Sequence, residues 1–464
     1  MSNVQPVGSI SFDVTSPVLI VGAGAAGLCA ALAASEMGAE VVVIERDPRP
    51  AGSTALSAGL IPAAGTRFQR ARKVEDSPAL FAADIKRKSA DEADDELVQA
   101  VTEHAGALVE WLADAYKFPF ELIDDFNYPG HSALRMHGLP SRTGGELMDR
   151  LRVAVEKRDI PILCNATATT LFSENDRIHG VEAERTDGSR ERIGCNALIL
   201  ACSGYGGNPD FIRQYIPEMA DALYFGHQGN RGDALAWGRA LGADLRDCGA
   251  YQGHGSVATP QNILITWAVM TEGGFQINAA GRRFSNEMQG YSEQAAVVLQ
   301  QPGGIAFDIF DERIAAIARQ FQDFKDAEAA GAVKSAGTIE ALGDMINIPL
   351  DVLATTLREV EQRKADAASD EYGRAFLSKQ QLSPPYYAVR VTGALFHTQG
   401  GLMIDRTGRV RKADRSQLPN LFAAGGAAVG VSGSKAAGYL SGNGLLTATV
   451  FGRLVGKAAA GLYK

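Results

Sequence analysis

Short apolar runs alternate with stretches of helical period along the first half of the chain. Val18-Leu19-Ile20-Val21 is apolar without a polar break, the pattern of a strand buried on both faces of a parallel sheet. An alanine-rich stretch from Ala25 to about Met37 has helical composition, and a second apolar run, Val41 to Ile44, ends at Glu45. Val74 to Tyr116 is charged and helical, and Thr143-Gly144-Gly145 opens a helix to about Arg158. Asn165 to Leu171, Gly180 to Arg185 and Arg190 to Ile193 are predicted as antiparallel strands, with a hairpin turn at Asp187-Gly188. Ala197 to Ala201 is a further buried strand running into Cys202-Ser203-Gly204, and Gly229 to Leu235 is a tight turn into a helix ending near Gly242.

From Tyr251 the pattern changes. Polar and aromatic segments precede helices predicted from Asp311 to Gly331 and from Asp351 to Ala368. Pro384-Pro385 returns the chain to strands, with a hairpin at Arg406-Thr407-Gly408 and a strand from Leu421 into Gly425-Gly426. The last helix is predicted from Ser441-Gly442-Asn443-Gly444 to about Gly456, and residues 1–16 read as a short disordered or edge segment. This organisation is an α/β dinucleotide-binding domain, residues 1–250 and 389–464, with an inserted α+β cap domain over 251–388.

The turn between the first two apolar runs reads Gly22-Ala23-Gly24-Ala25-Ala26-Gly27. Gly22 permits the tight turn, Gly24 lets a pyrophosphate reach the backbone, and Gly27 lets helix and strand pack closely. The helix N-terminus supplies free N–H groups and a favourable dipole for the anion. Glu45 stands eighteen positions after Gly27, placed for the adenosine ribose hydroxyls. A loop rich in small and hydroxyl residues follows, with Gly52, Ser53, Thr54, Ser57 and Gly59; an NAD dehydrogenase would place another regular helix there. That loop points to FAD. The expected cofactor contacts are Gly22, Gly24, Ala26, Gly27, Glu45, Arg46, Gly52, Ser53, Thr54, Ser57, Gly59, Ala168, Ala201, Ser203, Gly204, Asp233, Gly425, Gly426, Gly442, Gly444, Leu445 and Leu446.

Composition narrows the partners. The chain has 464 residues, 46% hydrophobic, with a net charge of −9 and no basic block, which argues against nucleic acid. No apolar run is long enough to span a bilayer; the uncharged stretch from Ser16 to Ser35 is broken by glycines and preceded by no Lys or Arg. Five scattered cysteines without CxxC spacing suit a reducing, cytoplasmic setting, and seven histidines without HxxxH spacing predict no metal. The polar-aromatic loop from Tyr128 to Gly138 carries His131 and Arg135, the latter a candidate for an anionic substrate group.

Together these motifs resemble the superfamily of FAD-dependent fumarate reductases and 3-ketosteroid dehydrogenases over nearly the whole chain. Gly52 to Gly59 matches the family's loop after the ribose acid. Arg283-Phe284-Ser285-Asn286-Glu287 matches its RF-x-NE segment, and His397-Thr398-Gln399-Gly400-Gly401 its HTxGG segment. Gly442-Asn443, then Phe451-Gly452-Arg453, match its closing GN turn and FGR. The resemblance implies a Rossmann-like, glutathione-reductase-type FAD domain, non-covalent FAD and a substrate cap. Where fumarate reductases carry a proton-donating arginine, five residues after Asn286, this chain has Tyr291. Where they carry an arginine before the closing turn that binds a carboxylate, it has Tyr439. Where the family has an acid after AAG, it has Gly426.

Tyrosines at both places are what ketosteroid dehydrogenases look like. Losing both guanidinium groups removes an anion trap. A phenol donates to a carbonyl oxygen and stabilises developing enolate charge. The resemblance thus implies a desaturase acting beside a ketone, either a 3-ketosteroid or a smaller oxo-cycloalkane such as a 4-oxocyclohexanecarboxylate-like acid. Tyr439 and the backbone N–H groups of Asn443 and Gly444 hold the oxygen, Tyr291 takes the α-proton, and the β-hydrogen leaves as hydride to flavin N5. Ser441 or His397 relays the proton, and Arg135 and His254 contact substrate. A free phenol titrates near 10, so Tyr291 needs help as a base. An enoate or dicarboxylate reductase, and a flavin-binding subunit without its own catalysis, are the competing readings. The electron acceptor and oligomeric state are not written in the sequence.

Overall fold

The structure, a computed structural model, describes residues 3–124, 126–376 and 380–463. The chain divides into two units: Met1–Ile216, Gly226–Tyr251 and His397–Lys464 form the first, Pro217–Phe225 and Gln252–Phe396 the second. The first is α/β and of the FAD-binding type that the glycine turn predicts. Its strand β1 (Asn3–Gln5) is an edge strand, so the N-terminal segment is tied down from residue 3 by parallel pairing with Ala166–Glu174. β2 (Val14–Val21) leads through the glycine turn into helix α1 (Ala25–Glu36) and then β3 (Val41–Ile44).

Among the described residues these strands belong to a nine-stranded sheet in which β2 lies between β3 and Arg190–Leu200. The two strand segments expected around Gly194 are one continuous strand. Its first half pairs antiparallel with Arg177–Arg185, while its last residues pair parallel with both β2 and Gln417–Ala423. Changing partners partway lets one strand serve a hairpin and the central parallel sheet, so the polar and apolar halves looked like separate elements.

The last helix, Asn443–Ala460, packs along α1. The contact is possible because small residues meet there. A Cβ on Gly452 would stand 2.5 Å from the Ala26 carbonyl oxygen, and one on Gly456 would collide with the Ala30 carbonyl oxygen. Both residues are helical, so the requirement is for space and not for backbone freedom. The α1 face is lined by Ala26, Ala30, Ala31 and Ala34, all buried in the unit's core.

The second unit contains a seven-stranded sheet among the described residues. Tyr386–Thr398 is central, flanked by Tyr251–Ala258 and by the Ile305–Asp311 and Phe275–Asn278 pair. Phe275, Ile309, Phe310 and Phe324 are fully buried in its core. The long helix expected from Asp311 to Gly331 is two helices, Glu312–Ala318 and Gln322–Ala329. Arg319 sits at the break and donates to Glu312 at 2.6 Å and Glu328 at 2.9 Å. A straight helix would separate those acids by about 24 Å, beyond one guanidinium. A strand at Val333–Ala336 and a helix at Ile339–Ile346 follow, neither of which was expected. Among the described residues no helix is long and apolar enough to cross a membrane.

Candidate active site

The glycine turn has the strained geometry its sequence implies. Gly22 has φ +104, and a Cβ there would lie 2.7 Å from the Ala201 carbonyl carbon. Gly27 has no room for a Cβ against the Gly22 carbonyl. The Glu45 carboxylate accepts from Ala23 N at 2.7 Å and Asp47 N at 3.0 Å, which fixes it at the mouth of the turn. Thr54 Oγ1 accepts from Ala25 N at 3.3 Å, and Ser53 Oγ from Asn230 Nδ2 at 2.8 Å. Ser57 Oγ donates to the Thr54 carbonyl, and Gly59, at φ +66, abuts the Thr143 carbonyl. Arg46 is ion-paired with Asp233 at 3.0 Å, so these two expected cofactor contacts bind each other. Ala168 is buried in Ala166–Glu174, whose first residue donates to the Glu45 carbonyl. A Cβ on Gly425 would touch Ala26 Cβ, and one on Gly426 would lie 2.7 Å from Gly204 N, next to Ser203. Leu445 packs on the core and Leu446 lies within it. The residues expected at FAD all belong to the first unit.

The helices that start at the glycine turn and at Gly442 have no side-chain cap. Gly24 caps α1 and Gly442, at φ +87, caps Asn443–Ala460. Elsewhere Ser77 and Asp94 cap their helices, while others, such as Tyr291–Leu299, have no side-chain cap either. A helix start needs partners for its N–H groups. Asn443 Oδ1 is also buried with no partner. Uncapped helix starts suit a pyrophosphate, and an orphaned acceptor suits a ring N–H; the cradle fits FAD.

At the start of the last helix, Tyr439 is buried, with the backbone of Gly444 and Gly442 beside its phenol. Burial pushes its pKa far above the ordinary value, against the pull of that backbone, so it is a neutral phenol. The Asn443 N–H was expected to serve the substrate oxygen; it donates instead to the Leu440 carbonyl at 3.0 Å, as the turn into the helix requires. The Asn443 side chain reaches Ser432 Oγ at 3.2 Å, Ser432 donates to Gln399 Oε1 at 2.9 Å, and Gln399 Nε2 reaches His397 Nδ1 at 2.9 Å. His397 packs edge-on to Tyr439 with ring centroids 5.5 Å apart, and a Cβ on Gly444 would be 2.8 Å from its ring. Desolvation pushes His397 down to about 4, against a contact of its Nδ1 with the Thr398 carbonyl at 3.4 Å, so the ring is neutral. Ser441 is buried, and its carbonyl accepts from His131 Nε2 at 2.9 Å.

In the second unit, Tyr291 is the first residue of helix Tyr291–Leu299, after Gly290 at φ +146. His254 stacks on its ring at 5.0 Å with an interplanar angle of 23°. Trp267 meets His254 edge-on at 5.4 Å, and Phe396 packs on His254 at 5.7 Å and on Phe225 at 4.8 Å. The stack forms because His254 lies between glycines. Gly255 leaves no room for a Cβ against Gln294 of that helix, and Gly253 N donates to Ser292 Oγ at 2.9 Å. His254 Nδ1 accepts from Ser256 N at 3.1 Å, and burial pushes its pKa to about 3, so it is neutral with hydrogen on Nε2. Behind it lies buried Asp308, bound to Ser256 Oγ and to Gln276 Nε2 at 2.8 Å; burial raises it to about 7.

One expected substrate contact is overturned. Arg135 is fully buried, pairing with Asp76 at 2.9 Å and Asp84 at 2.7 Å, and these two carboxylates already hold its charge. The pattern of the sequence gave no sign of this, since both acids lie on other segments. Gln399, Ser432, Trp267 and Phe396 were missed. Gln399 was readable as the variable position of the HTxGG motif; for the others only a fold brings the partners together.

A family model described as the FAD binding domain matches residues 17–445. A probable fumarate reductase, Ifc3, of Shewanella frigidimarina is 31% identical over 453 residues, which is 96% of this chain and 75% of that protein. The solved open conformation of a flavocytochrome c3 fumarate reductase has a TM-score of 0.82 at 29% identity, covering 97% of this chain and 79% of that one. The 3-ketosteroid-Δ4-(5α)-dehydrogenase of Rhodococcus jostii RHA1 has a TM-score of 0.79 at 24% identity, covering 99% and 100%, a likeness of fold. The chain belongs to the FAD-binding family of flavoprotein oxidoreductases that act on CH–CH groups.

Proposed function

We propose that this enzyme desaturates the carbon–carbon bond next to a ketone, on a 3-ketosteroid or a smaller oxo-cycloalkane. The observation that carries this reading is the setting of Tyr439: a buried neutral phenol beside the Gly442 and Gly444 backbone, with neutral His397 packed edge-on to it. An acid substrate needs fixed cations. The buried guanidinium of the neighbouring loop, Arg135, is already neutralised by two aspartates. The rings stacked about Tyr291 are neutral as well.

In this proposal Gly22, Gly24, Ala26 and Gly27 hold the FAD pyrophosphate, Glu45 the ribose, and Asn443, Gly444 and Gly425-Gly426 the flavin end, without a covalent link. FAD, when bound, would supply the acceptor for the hydride, which carries the two electrons of the oxidation. Tyr439 donates to the ketone oxygen, which stabilises the enolate charge and acidifies the α-hydrogen. Tyr291 receives that proton as general base. Neutral His254 keeps the Tyr291 ring in one plane without adding a positive charge. Free cysteines are consistent with a reducing, cytoplasmic location.

The second reading, an enoate or dicarboxylate reductase, is favoured by the identity to a probable fumarate reductase. A panel separates the two. Purified enzyme is mixed anaerobically with saturated steroids, oxo-cyclohexanes and dicarboxylates, and the flavin absorbance is followed. Bleaching by a saturated cyclic ketone is expected. Bleaching by succinate alone would assign the enzyme to the acids.

A further inference from the structure

The Gln399 side chain joins the His397 ring to the start of the last helix. Its backbone is tied on both sides: the N–H donates to the Ala250 carbonyl at 2.8 Å, and the carbonyl accepts from the Gly430 N–H at 2.8 Å. Gly430 also makes room for the amide, since a Cβ there would stand 2.9 Å from Gln399 Oε1. Held this way, the amide puts Nε2 2.9 Å from His397 Nδ1 and accepts from Ser432 Oγ through Oε1 at 2.9 Å. Ser432 Oγ in turn accepts from Asn443 Nδ2 at 3.2 Å. Gln399, Ser432 and Asn443 are all buried.

Counting hydrogens gives this chain a direction. With Nε2, a donor only, facing the histidine ring, Oε1 is the end of the Gln399 amide that meets Ser432. A serine hydroxyl has one hydrogen, and Ser432 gives it to Gln399, so only lone pairs are left for Asn443. The Asn443 amide must then turn Nδ2 to Ser432 and Oδ1 away. Among the described residues, Oδ1 has no hydrogen-bond partner, although Asn443 is fully buried. An asparagine released from this chain would turn its amide over, meet the Ser432 hydroxyl through oxygen, and leave Nδ2 unpaired instead. The end kept open is therefore an acceptor, the kind of group that a ring N–H satisfies.

We propose that Gln399 and Ser432 are cofactor-positioning residues, which lock the Asn443 side chain with its Oδ1 toward a ring N–H of FAD. The proposal rests on the placing of the flavin end at Asn443 given above, and holds whether the substrate is a ketone or an acid.

FAD affinity tests it. The holoenzyme is diluted, and release of FAD is read from the return of flavin fluorescence. Gln399→Met keeps the length of the side chain and removes the acceptor for the Ser432 hydrogen, so the Asn443 amide is released to turn. Its FAD Kd is expected to rise about tenfold, the effect of one hydrogen bond to a buried group. Ser432→Ala should lose about as much, and Ser432→Thr, which keeps the hydroxyl, should stay within about threefold of wild type. Asn443→Leu, expected to weaken FAD by about tenfold, supplies the background that separates positioning from packing. With no amide left to orient, adding Gln399→Met to it should weaken FAD by less than about twofold, whereas a loss of packing would add in full. A wild-type Kd in Gln399→Met, the same loss from it with and without Asn443, or a Ser432→Thr variant as weak as Ser432→Ala would overturn the proposal and leave the placing of the flavin intact. A wild-type Kd in Asn443→Leu would overturn both.

Discussion

Tyr439 and Tyr291 present the same chemical group from opposite kinds of surroundings. Tyr439 is set in backbone: the Gly442 and Gly444 peptides beside its phenol, a glycine-capped helix start, and the His131 contact on the adjoining peptide. Tyr291 is held by its ring, stacked on His254, with Trp267 and Phe396 packed on that histidine. Backbone contacts fix where an oxygen sits; ring stacking fixes the plane of a ring. A residue that must stabilise charge at one point suits the first setting, and a residue that must take up and release a proton suits the second.

The largest expected effect breaks the comparison on the side of Tyr291. Tyr291→Phe keeps the ring stack and removes the proton acceptor, so kcat on the ketone falls by about 10²–10⁴ while FAD content and melting temperature hold. Single-turnover bleaching measures it. Unchanged turnover would return Tyr291 to packing. Tyr439→Phe removes one donor to the developing enolate, and its expected loss in kcat is about 10²–10³, again with FAD retained.

Arg135→Met tests the foundation beneath the backbone-held side. It leaves Asp76 and Asp84 buried with no partnering cation from that position, and unfolding free energy should drop by about 3–5 kcal/mol. Denaturant titration of the holoprotein would show it, and a change below about 1 kcal/mol would mean the pair is solvated.

The smallest effect concerns the ring-held side. Asp308 has its folded pKa raised to about 7 by burial, against about 3.9 unfolded. Between those values the folded protein holds a proton that the unfolded chain has released. Its contribution to stability is therefore fully present below about pH 3.9 and is lost as pH rises through about 7. Asp308→Asn should flatten the fall in melting temperature between about pH 4 and pH 7. A parallel fall in both proteins would show that Asp308 is ionised throughout.

The parts of this molecule readable from sequence are those in which neighbours in the chain are neighbours in space. Val18 to Glu45 is one such unit. The need for glycine at 22 and 27 could be argued beforehand and appears as missing room for a Cβ. The sites that escaped are built from distant segments. Arg135 meets acids 59 and 51 positions away, and His131 meets Ser441 310 positions away. An arginine in a polar loop carries no local mark of burial, so the expectation that it binds substrate was reasonable from pattern and wrong in fact. The Asn443 N–H was misassigned for a different reason: the helix start was placed, but which N–H closes the turn depends on the φ of Gly442.

The central claim is that neutral phenols, and not cations, meet the substrate. The most direct test compares two rates on one preparation: anaerobic bleaching of oxidised enzyme by a saturated cyclic ketone, and reoxidation of dye-reduced enzyme by fumarate. Fast bleaching with slow reoxidation is predicted. No bleaching by any ketone, together with fast reoxidation by fumarate, would contradict it.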